Sequence, residues 1–327
     1  MNTSSDNDIQ KPKIIEALKA GFDTIASNPY LILFPIMLDM FLWFGPSWRV
    51  EKFFKRSFEQ FITLPGMEPA DIDMLIESYQ TFWQDLTVNI DLARSLRTLP
   101  VGVPSLMVSK PSFLNPLGQP PVINLESSLQ VMAFLGFFLV IGYLLGSIYF
   151  SNISGQIVQA PENTGNLSFF RTFLQIILFP LILLVIFIVL SFPGLFILGF
   201  ATMISPAISQ FLIFAVGVIL LWVLMPLVFT PHCIFLYRQN LIAAMMTSIN
   251  VVKTSMGKTA WFIIISFILI EGMDMLWRTP DVDNWFLLIG ILGHAFVVTA
   301  VIAASFHYFL DATRFTQSIM NRHLKTA

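Results

Sequence analysis

Four ionisable side chains stand where a chain of this kind tolerates charge least: Asp39, Glu271, Asp274 and His294. Each lies inside a long apolar stretch, and an ionised Asp at the centre of a membrane span costs roughly 2.5–3.5 kcal/mol. At about 1.5 Å per helical residue, Asp39 falls about 15 Å from the inner end of its stretch, Glu271 about 18 Å along its own, and His294 about 14 Å from the outer end of the last. All three depths are near a bilayer midplane. Asp274 follows Glu271 by one turn on the same helix face. Carboxylates and an imidazole at one depth could pass a proton or hold a cation. The same groups could instead form a hydrogen-bonded polar knot that fixes helix packing. Their spacing matches no metal motif, so neither a metal nor any other cofactor is expected.

Other reactive types carry less. His307 and Asp311 are four apart on one helical face, which suits a side-chain hydrogen bond. His232 and Cys233 follow Pro231 at a helix end. Cys233 is the one cysteine, so no intramolecular disulfide can form. Gly142 and Gly146 make a GxxxG on an apolar helix, with Ser147 beside it, and Gly290, Gly293, Ala300, Ala303 and Ala304 make a second small face. Small faces let helices approach closely in lipid. Pro35, Pro180, Pro226 and Pro231 interrupt apolar stretches, as they do both in transporters and in ordinary lipid-embedded helices. Met256-Gly257-Lys258-Thr259 lacks the first glycine of a P-loop, and no HExxH, GxSxG or CxxC occurs. No catalytic residue is assigned, and the chain is not expected to be an enzyme.

The elements that must position these residues follow from composition. Of 327 residues, 56% are hydrophobic and 12% charged, with a mean hydropathy of +0.75. Soluble domains carry roughly 25% charge, so this chain must use lipid as its solvent. That excludes a nucleic-acid-binding protein, a secreted disulfide scaffold and a disordered chain. A net charge of −2 gives no long-range steering. Six stretches can cross a ~30 Å hydrocarbon core: 29–45, 128–150, 170–192, 209–236, 259–279 and 285–310. No charge occurs between Arg171 and Arg238, and that region could hold two spans or three. Two spans there place Lys11, Lys13, Lys19, Arg171, Arg238, Lys253, Lys258, Arg314, Arg322 and Lys325 on the cytoplasmic side, with Arg278 alone in a short outer connection. The positive-inside rule therefore selects six spans with both termini cytoplasmic. Pro193-Gly194 and Pro206 then make 193–208 a bent or interfacial outer segment.

The expected organisation is a cytoplasmic tail and interfacial amphipathic helix (1–28), a first span (29–45), an extracytoplasmic helical cap with a Pro/Gly-rich loop (46–127), a five-span bundle (128–312) and a cytoplasmic tail (313–327). The first amphipathic helix carries Ile14, Ile15, Leu18, Phe22 and Ile25 on one stripe. A second amphipathic segment, 239–258, carries Leu241, Met245, Ile249 and Val252. The N-terminus lacks a cleavable signal. In the cap, Val50, Phe53, Phe54, Phe58 and Phe61 recur at helical spacing, as do Ile72, Leu75, Ile76, Tyr79, Phe82, Trp83, Leu86 and Ile90 after Pro69. Prolines and glycines from Pro100 to Pro121 deny regular structure there and leave an ordered or lipid-skimming loop. Ile32-Leu33-Phe34-Pro35 recurs as Ile177-Leu178-Phe179-Pro180, which related hairpins or chance would both produce.

An amphipathic helix running through Ala17-Leu18-Lys19-Ala20-Gly21-Phe22 and Asn28-Pro29-Tyr30 into Phe34-Pro35, together with Leu241 to Trp261, resembles uncharacterised bacterial polytopic membrane proteins in which an interfacial helix precedes paired, proline-kinked spans. That resemblance implies a prokaryotic plasma membrane and no set activity, and the large outer segment departs from it. The residues themselves predict an all-α integral membrane protein of six transmembrane helices. Its partners are the lipid bilayer and other membrane subunits, met through 46–127 and the small-residue helix faces. Two functions fit: a non-catalytic accessory or scaffold component, or a transporter of a small solute, ion or lipid that uses the midplane carboxylates and His294.

Overall fold

The computed structural model describes residues 11–63, 69–79, 87, 89–110, 114–158 and 166–326. Its helices are α1 (Ile14–Ser27), α2 (Leu33–Phe44), α3 (Glu51–Ile62), α4 (Pro69–Ser78), α5 (Ser128–Ile157), α6 (Asn166–Ile204), α7 (Pro206–Leu224), α8 (Thr230–Tyr237), α9 (Leu241–Trp277) and α10 (Leu287–Thr326). Among the described residues, five stretches are long and apolar enough to cross a membrane, or six if the bent pair α1 and Pro29–Phe44 counts as one span. The chain is thus a polytopic, predominantly α-helical membrane protein. The expected tail at 1–10 and the hydrophobic positions Phe82, Trp83 and Leu86 lie outside the described residues.

The chain divides into two compact units. One comprises residues 29–149 and 269–299, and the other residues 1–28, 150–268 and 300–327. Helices α5, α9 and α10 contribute to both.

In the second unit, α1 does more than skim an interface. Its buried residues are Ala17, Gly21 and Ile25, whereas Ile15 of the expected stripe is 81% exposed. Gly21 sits flush against α10: a Cβ there would fall on the Ala300 carbonyl and on the backbone and side chain of Ala304. The small face of α10 is therefore a seat for α1. Thr24 Oγ1 donates to the Ala20 carbonyl and contacts His307 Nε2 at 2.9 Å. With that hydroxyl proton engaged, His307 is the donor. Asp311 pairs instead with Arg314, at 3.6 Å.

The segment 193–208 departs from expectation. Helix α6 runs through Pro180 and Pro193 to Ile204, and the chain turns only at Ser205, with Pro206 opening α7. A proline removes one helix bond, which a long apolar helix tolerates, and Pro206 occupies the first-turn position where its missing N–H costs nothing. Only 11% of the most apolar window of α6 and 6% of that ending in α8 are buried, against 67% for α10. The α6–α7 pair thus leaves its apolar faces for lipid, and α10 forms the core. The chain breaks again at Met225–Leu227, where Ser248 of α9 repairs the backbone. Its hydroxyl donates to the Pro226 carbonyl at 2.7 Å and accepts from Phe229 N at 3.1 Å. Helix α9 kinks at Ser255 (φ −118, ψ 19), close to the expected boundary between amphipathic segment and span. Helix α10 continues through the expected tail to Thr326. The two Ile-Leu-Phe-Pro copies differ in setting, one opening the short α2 and the other lying inside α6.

Replacing Gly21 with Leu should destabilise the protein by about 2 kcal/mol or more, because the side chain would meet backbone. Gly155, on open space, is the control. Thermal unfolding in detergent should separate the two leucine variants.

Candidate functional site

The candidate residues belong to the first unit. Helix α2 buries Pro35, Leu38, Asp39, Leu42 and Trp43 on one face. Asp39 is fully buried, and three donors meet its carboxylate. Ser105 Oγ donates to Oδ1 at 2.5 Å, Met107 N to Oδ1 at 3.0 Å, and Leu106 N to Oδ2 at 3.1 Å. Those donors belong to the Pro/Gly-rich loop. Asp39 thereby holds the two amides that lead into the short helical turn Met107–Ser109, whose Val108 N donates to Ser105 Oγ at 3.3 Å.

The loop is ordered and inserted rather than lipid-skimming. Val101, Val103, Ser105, Leu106 and Met107 are all essentially inaccessible. Irregular backbone in an apolar setting must have its polar groups satisfied, and named side chains do this. Thr98 Oγ1 donates to the Val101 carbonyl at 2.6 Å. Arg97 reaches the Ser105 carbonyl, and Arg94 the carbonyls of Val108 and Lys110. Tyr143 Oη donates to the Leu99 carbonyl at 2.7 Å. The GxxxG of α5 is where the loop lies. A Cβ on Gly142 would strike the Leu96 carbonyl, and one on Gly146 the backbone of Gly102. The small face thus accommodates irregular backbone from this chain's own segment 46–127.

The ends of the segment 46–127 are tied together by a parallel pair of short strands, β1 (Ser47–Arg49) and β2 (Val122–Asn124), in register Ser47↔Val122. This ladder adds one short strand pair to the helical cap and Pro/Gly-rich loop that the sequence predicts. Gly45-Pro46 and Pro120-Pro121 break the helix on either side and leave short extended pieces that can pair. Asp91 caps the turn Leu92–Leu96 and also accepts from Trp48 N at 2.9 Å. Lys110 Nζ donates to the Pro280 carbonyl at 2.5 Å, and Trp43 Nε1 to the Val282 carbonyl at 2.7 Å. Burial lowers the Lys110 ammonium from its ordinary pKa, with Asp281 opposing that effect and Arg278 adding to it. Lys52 and Arg56 of α3 hold Glu126 at 3.4 and 3.1 Å. The Lys52 hydrogen bond and the Arg56 charge keep the exposed Glu126 carboxylate below its usual range.

The other three candidates form a chain along α9 and α10. Asp274 Oδ1 lies 2.6 Å from His294 Nδ1, and Asp274 Oδ2 is 3.0 Å from Arg278 Nη2. Arg278 Nη1 is 3.7 Å from Glu271 Oε2, whose side chain is 47% exposed. With Arg278 on its second oxygen, Asp274 acts as a carboxylate, so His294 Nδ1 carries the proton of their bond. Gly293 places the Trp277 ring flat on α10, since a Cβ there would meet the indole. The structure thus joins His294 to Asp274 directly and Asp274 to Glu271 through Arg278, a residue the sequence reading placed in a short outer connection. Asp39 makes its hydrogen bonds to the loop and none to them. Among the described residues no group of three or more His, Cys, Asp and Glu could hold a metal ion. His232 bonds Ser305 at 2.7 Å within a ring of phenylalanines, and Cys233 is buried.

Ser105, Arg94 and Arg97 are the site residues that sequence reasoning missed. Signals existed: arginines beside a Pro/Gly run, and two glycines on α5 opposite that run. Compared with protein-family models, with curated proteins and with solved structures, the chain matches none.

Gly146→Leu should expel the loop and raise the rate of tryptic cleavage after Arg97 by roughly tenfold or more, since cleavage tracks the open population. Gly136→Leu, on open space, should leave the rate unchanged.

Proposed function

We propose that this protein is a non-catalytic accessory or scaffold component of a membrane complex, with the cap 46–127 as its partner-facing part. The observation that carries this reading is the occupation of the intramembrane polar groups. Asp39 is filled by three donors from one loop, and Asp274 is clamped between Arg278 and His294. Such bonds fix a surface and give both buried carboxyl groups, Asp39 and Asp274, partners from within this chain. The buried loop, the strand pair and the Lys110 tie to Pro280 give the described parts of the cap a defined shape, as a docking surface requires. Its six spans begin from cytoplasmic termini in a prokaryotic plasma membrane, as the Lys/Arg distribution supports. Transport is the second reading. It is favoured by the run from half-exposed Glu271 through Arg278 and Asp274 to buried His294.

Native mass spectrometry of protein extracted gently from its own membrane separates the two. The accessory reading expects stoichiometric foreign subunits that are lost when the cap is perturbed by Asp91→Ala. A partner-free chain whose reconstituted ion flux disappears in Glu271→Gln would replace it with the transport reading.

A further inference from the structure

We infer that the face of α9 from Lys258 through Trp261 to Ile268 is a seat for one anionic phospholipid. Lys258 meets the phosphate, Lys253 adds a second positive charge, and the apolar residues line an acyl chain. The inference concerns only the second unit and stands under either reading of function. Lys258, Trp261, Ile265 and Ile268 follow one another at spacings of three, four and three, so they share one helix face. All four are exposed, Trp261 by 60% and Ile268 by 62%. Phe262, stacked on Tyr308 of α10, and Ser266 turn inward and are buried. From Lys258, α9 continues for about 28 Å to its end, close to the thickness of a hydrocarbon core. Lys258 therefore stands at headgroup level and Trp261 one turn inside it, where an indole prefers to lie. Lysine, tryptophan and isoleucine thus follow the order of phosphate, glycerol layer and acyl chain.

Charge decides which headgroup fits. No Asp or Glu occurs from Gln239 to Ile270 or from Ala312 to Ala327, and Asp311 of α10 pairs with Arg314 at 3.6 Å. Lys253 and Lys258 are both exposed. A zwitterionic headgroup would bring a cation of its own against them, whereas an anionic one brings only negative charge. Each such lysine favours an anionic lipid surface by about fivefold. The two lysines stand on either side of the kink at Ser255, and hydroxyl groups brace that kink on α10. Ser255 Oγ donates to the Val251 carbonyl at 2.7 Å and lies 3.1 Å from Thr259 Oγ1, which lies 3.2 Å from Tyr308 Oη. Thr254 Oγ1 meets Thr316 Oγ1 at 2.5 Å. The backbone that carries both lysines is therefore fixed before a lipid arrives, which lowers the ordering cost of binding.

The test is native mass spectrometry of the full chain in detergent, titrated with phosphatidylglycerol or with phosphatidylcholine of the same acyl chains. Phosphatidylglycerol should bind about tenfold or more tighter. Lys258→Gln should cut that preference about fivefold, and Lys258→Arg should keep it. Lys19→Gln, which removes an exposed lysine of α1, should leave it unchanged and so separates a local seat from overall charge. Equal binding of the two lipids overturns the proposal, and so does an equal loss in Lys19→Gln. Excess glycerol phosphate should leave the bound lipid in place. Displacement by it would reduce the site to an anion site without an acyl lane, and would overturn the proposal too. In the protein's own membrane, a benzophenone photocrosslinker at position 268 should give a lipid adduct. A protein adduct there would assign the lane to another subunit and overturn the proposal, while leaving the accessory reading intact.

Discussion

The Asp39 carboxylate is the interaction on which the first unit depends. A loop rich in proline and glycine forms no ladder of its own backbone bonds, yet residues 101–107 lie buried among apolar neighbours. Each N–H and C=O taken there needs a partner. Asp39 supplies acceptors to two successive amides and a hydroxyl, and Arg94, Arg97 and Thr98 supply donors to carbonyls. A carboxyl group suits this role, because its two oxygens can accept several hydrogen bonds at once. Once the loop is seated, the rest follows locally. Gly142 and Gly146 give it room on α5, and the strand pair closes the segment 46–127 at its base.

A second constraint is close approach of backbones. Lipid tails are as apolar as leucine, so burial alone does not drive helices together, and contact area must come from fit. Ala17 and Gly21 let α1 settle on Ala300 and Ala304, and Gly290 and Gly293 admit Trp277 onto α10. Where proline frees backbone groups, a neighbouring helix restores their bonds, as Ser248 does beside Pro226. The α6–α7 pair has little of this support. Its burial is lowest and its composition most apolar, as expected of helices solvated by lipid.

Much of the architecture was readable in the amino-acid order. Long apolar stretches gave the spans, Pro69 the start of α4, and the polar stretch around Lys253 and Lys258 the change of character near Ser255. What was not readable has definite physical causes. Apolar periodicity marked Ile15, but the buried stripe of α1 runs through Ala17 and Gly21, where smallness rather than hydrophobicity decides. Pro193 was read as a break, but a single missing bond does not end a long apolar helix. The strand pair involves three residues a side and leaves no alternation long enough to detect. For the site, types and approximate depth pointed to His294, Asp274 and Glu271, whose neighbours lie on two adjacent helices. Asp39 was identified as a residue that needed partners, but those partners lie 66–68 positions away in an irregular loop, a separation over which no periodicity extends.

The most direct measurement of the central claim is a double-mutant cycle between Asp39→Asn and Ser105→Ala, read by equilibrium unfolding in detergent. If the carboxylate seats the loop, the two changes remove parts of one network. Their combined effect should then fall short of the sum of the single effects by about 1 kcal/mol or more. Strict additivity would show that Asp39 and Ser105 act independently, and would contradict the account.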